Sequence, residues 1–380
     1  MRVPFTILVA LLAAAPDVIG QAKKAPPQDL ILYVGTYTRP QKSKGIYAWR
    51  FQPATGSMSP IGLVAETASP SFLAVHPNQK FLYAVNEVNT GTVSAFAIEP
   101  ETGKLKLLNQ VSTKGGGPCH LTTDRTGKWL YAANYGTGSV AAFPVHDDGS
   151  LGESSAFVQH TGSGANPQRQ RGPHAHMTLM APENRYVFVA DLGLDQVLGY
   201  PVDANRGGMA TDAPVITKIA PGSGPRHMAF RPDGKFLYVL NEILCTVTAL
   251  RYDAMHGTTE EIQTIPTLPA DFTGTKSTAE IAAHRNGNLL YASNRGHDTI
   301  AAFRIDSASG KLTLIGHTPT RGKTPRNFAI DPTGAWLFAA NQDSDNMSVF
   351  RLDAKTGSLS PAGEPVEVFA PVCVVFAAAK

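Results

Sequence analysis

The chain has 380 residues, 43% hydrophobic and 17% charged, with a formal net charge of +3. That length allows a large buried core, and the lack of any long Lys/Arg block excludes a nucleic-acid footprint. Cys119, Cys245 and Cys373 are the only cysteines; three scattered thiols exclude a disulfide framework and a zinc motif and read as small buried apolar residues.

At the N-terminus a single Arg precedes an apolar run from Phe5 to Ala15 and then small residues. This pattern predicts a secretory signal peptide over residues 1–20, cleaved between Ala15 and Ala22. The run is well short of the ~20 residues that span a bilayer. The expected protein is therefore exported, periplasmic or extracellular, with no membrane association once the leader is removed.

From residue 30 the chain repeats itself. A short apolar segment recurs as LYVGTY (32–37), LYAVNE (82–87), LYAANY (130–135), VFVADL (187–192), LYVLNE (237–242), LYASNR (290–295) and LFAANQ (337–342). Most copies are preceded by a second apolar run and a tight turn, as in GPRHMAFRPDGK (224–235) and TPRNFAIDPTGA (324–335). Two apolar runs joined by such a turn predict an antiparallel hairpin. An alternating segment such as TIAAFRIDSASGKL (299–312) supplies a third strand, and a shorter polar stretch a fourth. Four strands per ~50-residue repeat predict an all-β, seven-bladed β-propeller over residues 30–380.

The ends predict how the ring closes. LILYVGTYT, GIYAWRF and PIGLVAE match strands two to four of a blade, and APVCVVF (370–376) matches a first strand. The closing blade is expected to be composite: inner strand from the C-terminus, outer three from the N-terminus, with no sheet edge left unpaired.

Shared register then predicts a site. Arg226 and Glu242 are equidistant from the turn at Gly234, so both belong at the open end of their hairpin, at one mouth of the central channel. The residues matching Arg226 are Ser71, Cys119, His176, Ala279, Arg326 and Val372; those matching Glu242 are Tyr37, Glu87, Tyr135, Leu192, Arg295 and Gln342. The next position along the first strand carries Phe72, His120, Met177, His227, Glu280, Asn327 and Cys373. Such varied charge and imidazole at one mouth points to a site built by several blades. The neighbouring ring of Thr36, Asn86, Asn134, Asp191, Asn241, Asn294 and Asn341 is uniform, and reads as side chains bonding nearby backbone at strand exits.

The longest insertion, GSGANPQRQRGPHAHM (162–177), brings Arg169, Arg171, His174 and His176 towards the same mouth, as a lid or an anion-binding arm. Glu242 and His176 are the candidate general bases. Arg226, Arg295 and Arg326 are suited to clamping an anion and stabilising charge on a carbonyl oxygen. No G-x-S-x-G elbow occurs, which argues against a serine hydrolase. His174 and His176 have a metal-like spacing, but the arginines beside Glu87, Asp191, Glu242 and Glu280 oppose a cation, so no metal is expected.

In the segments RQRGPHAHM (169–177), ADLGLDQV (190–197), GPRHMAF…LYVLNE (224–242), STAEIAAH…LYASNRGHDTIAAF (277–303) and TPRNFAIDPTG…ANQDSDNMSVFRLD (324–353), the chain resembles the lactonase family of seven-bladed propellers. That family is typified by 6-phosphogluconolactonase and is related to the fungal carboxy-cis,cis-muconate lactonizing enzyme. The resemblance implies a carboxylic ester hydrolase that opens a sugar-acid lactone, without cofactor, with catalytic residues at His176, Arg226, Glu242 and Arg295. Arg169, His174, Glu87 and Arg326 are the expected substrate-binding residues, the partner a small anionic lactone, and the protein a monomer. Two other readings compete: a non-catalytic exported propeller that binds an anionic ligand or glycan, and a lactonizing enzyme of the muconate type.

Overall fold

The computed structural model describes residues 28–379, so the expected signal peptide lies outside the described residues. Seven antiparallel sheets form the ring. Blades 1 to 7 comprise residues 30–66, 73–112, 118–159, 175–218, 225–266, 277–319 and 325–367, and blade 1 is completed by residues 371–378. The C-terminal strand pairs antiparallel with residues 30–36 from Leu30↔Ala378 to Thr36↔Pro371, as the composite blade requires. Blade 7 departs slightly from four strands: its outer edge is split into Leu359–Pro361 and Val366–Glu367, both paired to Asn346–Leu352.

The repeated LY segments form the second strand of each blade. Leu32, Tyr33 and Val34, or Leu237, Tyr238 and Val239, are all wholly buried. A strand covered on both faces needs a continuous apolar run rather than alternation, and neighbouring blades supply that cover. Seven apolar clusters result, each shared by two adjacent blades, including one that joins blade 7 to blade 1 through Trp336, Phe338, Leu32 and Phe51. The fourth strands face solvent and carry polar residues, as in Ser57–Glu66.

Polar locks join blade to blade. Where the repeat reads LY, the tyrosine hydroxyl donates to a glycine carbonyl in the following blade: Tyr33 to Gly103, Tyr83 to Gly149, Tyr131 to Gly208, Tyr238 to Gly310 and Tyr291 to Gly357, all at 2.9–3.1 Å. A buried phenol needs such an acceptor. At the hairpin turns, His76 and His284 bond the carbonyls of Gly127 and Gly334, each at 2.9 Å. Both glycines have positive φ, and a Cβ there would meet the imidazole.

One local feature positions the site. In most first strands the ladder slips by one residue at the mouth. Pro225 pairs with Asn241 and His227 with Leu240, leaving Arg226 as the extra residue. The same slip falls at Cys119, His176 and Arg326, at Val372 in the composite blade, and at Ala279–Glu280 in blade 6. A bulge turns the extra side chain out of the pleat. The mouth residues are thus bulge residues rather than direct cross-strand partners, and the simple hairpin register expected for Arg226 and Glu242 is corrected accordingly.

Candidate active site

The uniform ring behaves as a structural collar. Asn86, Asn134, Asn294 and Asn341 donate to the carbonyls of Ala68, Thr113, Thr267 and Thr320, the segments entering each blade. Asp191, the acidic member, anchors the long insertion instead. It accepts from the backbone NH of His174 and of Gly193 and from His160 Nδ1, whose Nε2 faces the Tyr200 hydroxyl.

Inside this collar lies a cavity of about 320 Å³ whose walls include Glu87, His176, Glu242, Arg295 and Arg326. Blades 2 to 7 all contribute, so the radial convergence expected from the shared register is found. Tyr135, Cys119 and Ser277 complete much of the lining.

Glu242 is the hub. Its Oε1 accepts from Arg169 Nη2 at 2.6 Å, and its Oε2 lies 2.9 Å from both Arg226 Nε and Arg295 Nη2. Burial alone would raise this carboxyl, but Arg295, Arg226 and Arg169 outweigh burial and hold it at about 2. A carboxylate so stabilised is a weak proton acceptor. Arg226 is itself 2% exposed, donates Nη1 to the Ala279 carbonyl, and is lowered to about 10 by burial and by Arg295 and Arg326. Arg295 Nη2 also donates to the Thr278 carbonyl at 2.7 Å. These two arginines are therefore largely committed to the protein.

Arg326 is arranged differently. It lies 5.2 Å from the Tyr37 ring centre and pairs with no carboxylate among the described residues. The Tyr37 hydroxyl donates to Glu87 Oε2 at 2.9 Å. The guanidinium of Arg326 is thus a cavity cation with donors to offer an anionic ligand.

His176 is buried, and burial, then Arg226, His227 and Arg326, hold its imidazole well below the ordinary range. It is neutral at pH 7. Its Nδ1 lies 3.6 Å from Cys119 Sγ, and its ring meets Tyr135 edge-on at 5.3 Å. His174 does not share this wall: its ring stacks on Tyr135 at 4.5 Å and its Nδ1 lies 2.9 Å from the Tyr135 carbonyl. It props the cavity from behind. Arg171 bonds the Pro167 carbonyl on the exposed side of the insertion.

The insertion is braced rather than loose. Gln170, 1% exposed, donates to the Leu192 carbonyl and to Asp195 Oδ1, and accepts from the Asn166 backbone NH. That internal anchor sets the direction of Arg169 next to it. Sequence reasoning picked out Arg169 but missed Gln170, because an amide in a polar loop carries no visible sign of being buried.

Comparison with known proteins agrees with this architecture. A family model described as Lactonase, 7-bladed beta-propeller matches residues 31–376. A 6-phosphogluconolactonase of Bacillus subtilis is 37% identical over 302 residues, covering 79% of this chain and 85% of that protein. Another 6-phosphogluconolactonase, of Formosa agariphila, is 37% identical over 309 residues, 80% of this chain and 86% of its own. Among solved structures, a periplasmic gluconolactonase of Pseudomonas aeruginosa superposes with a TM-score of 0.87 at 33% identity, covering 93% of this chain and all of its own.

Proposed function

The chain belongs to the lactonase family of seven-bladed β-propellers and is a lactone hydrolase, and we propose that it opens a sugar-acid lactone in the mouth cavity. The observation that carries this reading is the pairing of a guanidinium free for ligand, Arg326, with a neutral imidazole, His176, in one pocket. Glu242 gathers Arg169 and Arg295 into a preformed positive wall of the cavity, with Arg226 buried behind them and outside its lining. Charge that develops on the carbonyl oxygen of the lactone meets that wall without reorganisation, which is the main source of rate enhancement in acyl transfer. Because Glu242 is held ionised, proton transfer falls to an imidazole of the mouth. His176 lies on the cavity wall, within reach of a ligand; Glu87 and Arg169 contribute polar contacts to it.

The apolar run at Phe5 to Ala15 and the likeness to a periplasmic gluconolactonase favour an exported enzyme acting on unphosphorylated aldonolactones. The test is a pH-stat assay of paired lactones, phosphorylated and unphosphorylated. Acid release above background is expected, greater for the unphosphorylated member. No release from any lactone, together with tight binding of an anionic sugar, would replace the enzyme reading with that of a binding propeller.

A further inference from the structure

Below the mouth cavity lies a chamber of about 10 Å³ with Ser71, Arg226 and His227 in its wall, sharing Glu87, Cys119 and Arg326 with the space above. That is roughly the smallest space that holds one water molecule. Two buried side-chain atoms of its wall, Ser71 Oγ and His227 Nε2, are among those with no protein partner in the described residues. Ser71 is 4% exposed and His227 2%. A buried polar atom left unbonded is destabilising, and a water between them would satisfy both.

The other side of His227 is fully arranged. Its Nδ1 lies 2.9 Å from Glu280 Oε1, which also accepts from the Ile281 backbone NH at 3.0 Å. Glu280 Oε2 accepts from Asn327 Nδ2 at 2.5 Å, and Asn327 Oδ1 accepts from the Val374 backbone NH at 2.9 Å. The His227 ring is flanked by those of His120 and His176, both with centres 5.2 Å away. A carboxylate that fixes one ring nitrogen leaves the other with a directed lone pair.

We propose that this chamber holds the water that attacks the lactone, and that His227, oriented by Glu280, is its general base. The proposal deepens the lactonase reading and rests on it. In the attack, a water proton passes to His227 Nε2 as the oxygen bonds to the lactone carbonyl carbon. The Nδ1 proton moves to Glu280 Oε1. When the ring C–O bond breaks, Glu280 returns its proton to Nδ1 and Nε2 protonates the departing alkoxide. Lactone and water become one hydroxy acid, and both side chains are restored.

The surroundings suit this double shift. Burial first, then Arg226, Arg326 and Arg295 against the opposing charge of Glu242, keep His227 well below its ordinary range. Burial raises Glu280 to about 7 even though Arg226 and His120 face it, which makes it a better acceptor for the Nδ1 proton than an ordinary carboxylate.

The experiment compares the parent with Glu280→Gln, His227→Gln and Ser71→Ala on the lactone turned over fastest. Expected are kcat losses of about a hundredfold for the first two and a smaller loss for Ser71→Ala, with KM little changed and the fold intact by circular dichroism. The parental rate should fall as pH drops below about 7, and Glu280→Gln should lack that limb. Should His227→Gln fail to fold, Ser71→Ala and the parental acid limb decide. An active parent without that limb, or whose folded variants keep the parental kcat and pH profile, would overturn the role of His227 alone. A parent inactive on every lactone would overturn the enzyme reading and this role together.

Discussion

Arg226 Nε and Glu242 Oε2 meet at 2.9 Å, sixteen positions apart in one hairpin, although neither is the other's partner in the ladder. The bulge at Arg226 creates the contact, and Arg169 and Arg295 then converge on the same carboxylate. Glu242→Gln removes the charge that holds three guanidinium groups together. Leaving buried cations uncompensated costs about 3–5 kcal/mol. The variant should unfold at lower urea concentration and lose kcat/KM by about a hundredfold or more through lost preorganisation. Equilibrium unfolding together with steady-state kinetics checks this; an unchanged midpoint would show that the hub carries little stability.

The same carboxylate sets acid sensitivity. Its folded value of about 2 lies below the ordinary 4.5, so its contribution is fully present above 4.5 and is lost as pH falls towards 2. Glu280 works in the opposite sense. Raised to about 7, it favours the folded state below 4.5, and that contribution disappears as pH rises to about 7. Unfolding free energies across pH 2–8 should therefore show Glu242→Gln flattening the acid slope and Glu280→Gln flattening the one between 4.5 and 7.

Gln170 predicts the behaviour of the insertion. Gln170→Ala removes side-chain bonds to Leu192, Asp195 and Asn166, so residues 162–174 should lose hydrogen-exchange protection while the blades keep theirs. Arg169 would then sample other directions, and KM should rise by several-fold. Unaltered exchange in this loop would mean that Asp191 and its bond to the His174 backbone NH hold it unaided.

Arg326→Ala should raise KM for anionic lactones by about tenfold or more, since a charge-assisted bond is worth roughly 1.5–3 kcal/mol, and should have less effect on uncharged ones. A lactone series differing in charge reads this directly. A loss of kcat, equal across the series and with KM unchanged, would assign Arg326 to the transition state instead.

Ring closure is testable by truncation. Removing residues 371–380 takes away the inner strand of blade 1 and uncovers the ladder edge of residues 30–36, including the buried Leu32, Tyr33 and Val34. The shortened chain should aggregate or remain unfolded, because a long apolar edge is a template for pairing. Size-exclusion chromatography of the refolded product decides.

How much was legible in the sequence varies with the kind of interaction. The LY segments and their turns are local signals repeated seven times, so strand number, blade count and composite closure could be read directly. His176, Arg226, Glu242 and Arg295 emerged because a common register brings equivalent positions to one axis. Their division of labour did not emerge. Nothing linear shows that Arg169 bends back to Glu242 while its neighbour Gln170 turns inward, or that His174 stacks behind Tyr135 while His176 lines the cavity.

Periodicity, then, determined the toroid and the mouth to which its charged residues belong, because hydrophobic alternation and turn chemistry act over a few residues and repeat. Which carboxylate is neutralised by arginine, which imidazole keeps an unbonded nitrogen and which guanidinium remains free were decided by the folded ring alone. Those properties depend on burial and on distances between blades, and the electrostatics of a channel mouth is a sum over groups that are far apart along the chain.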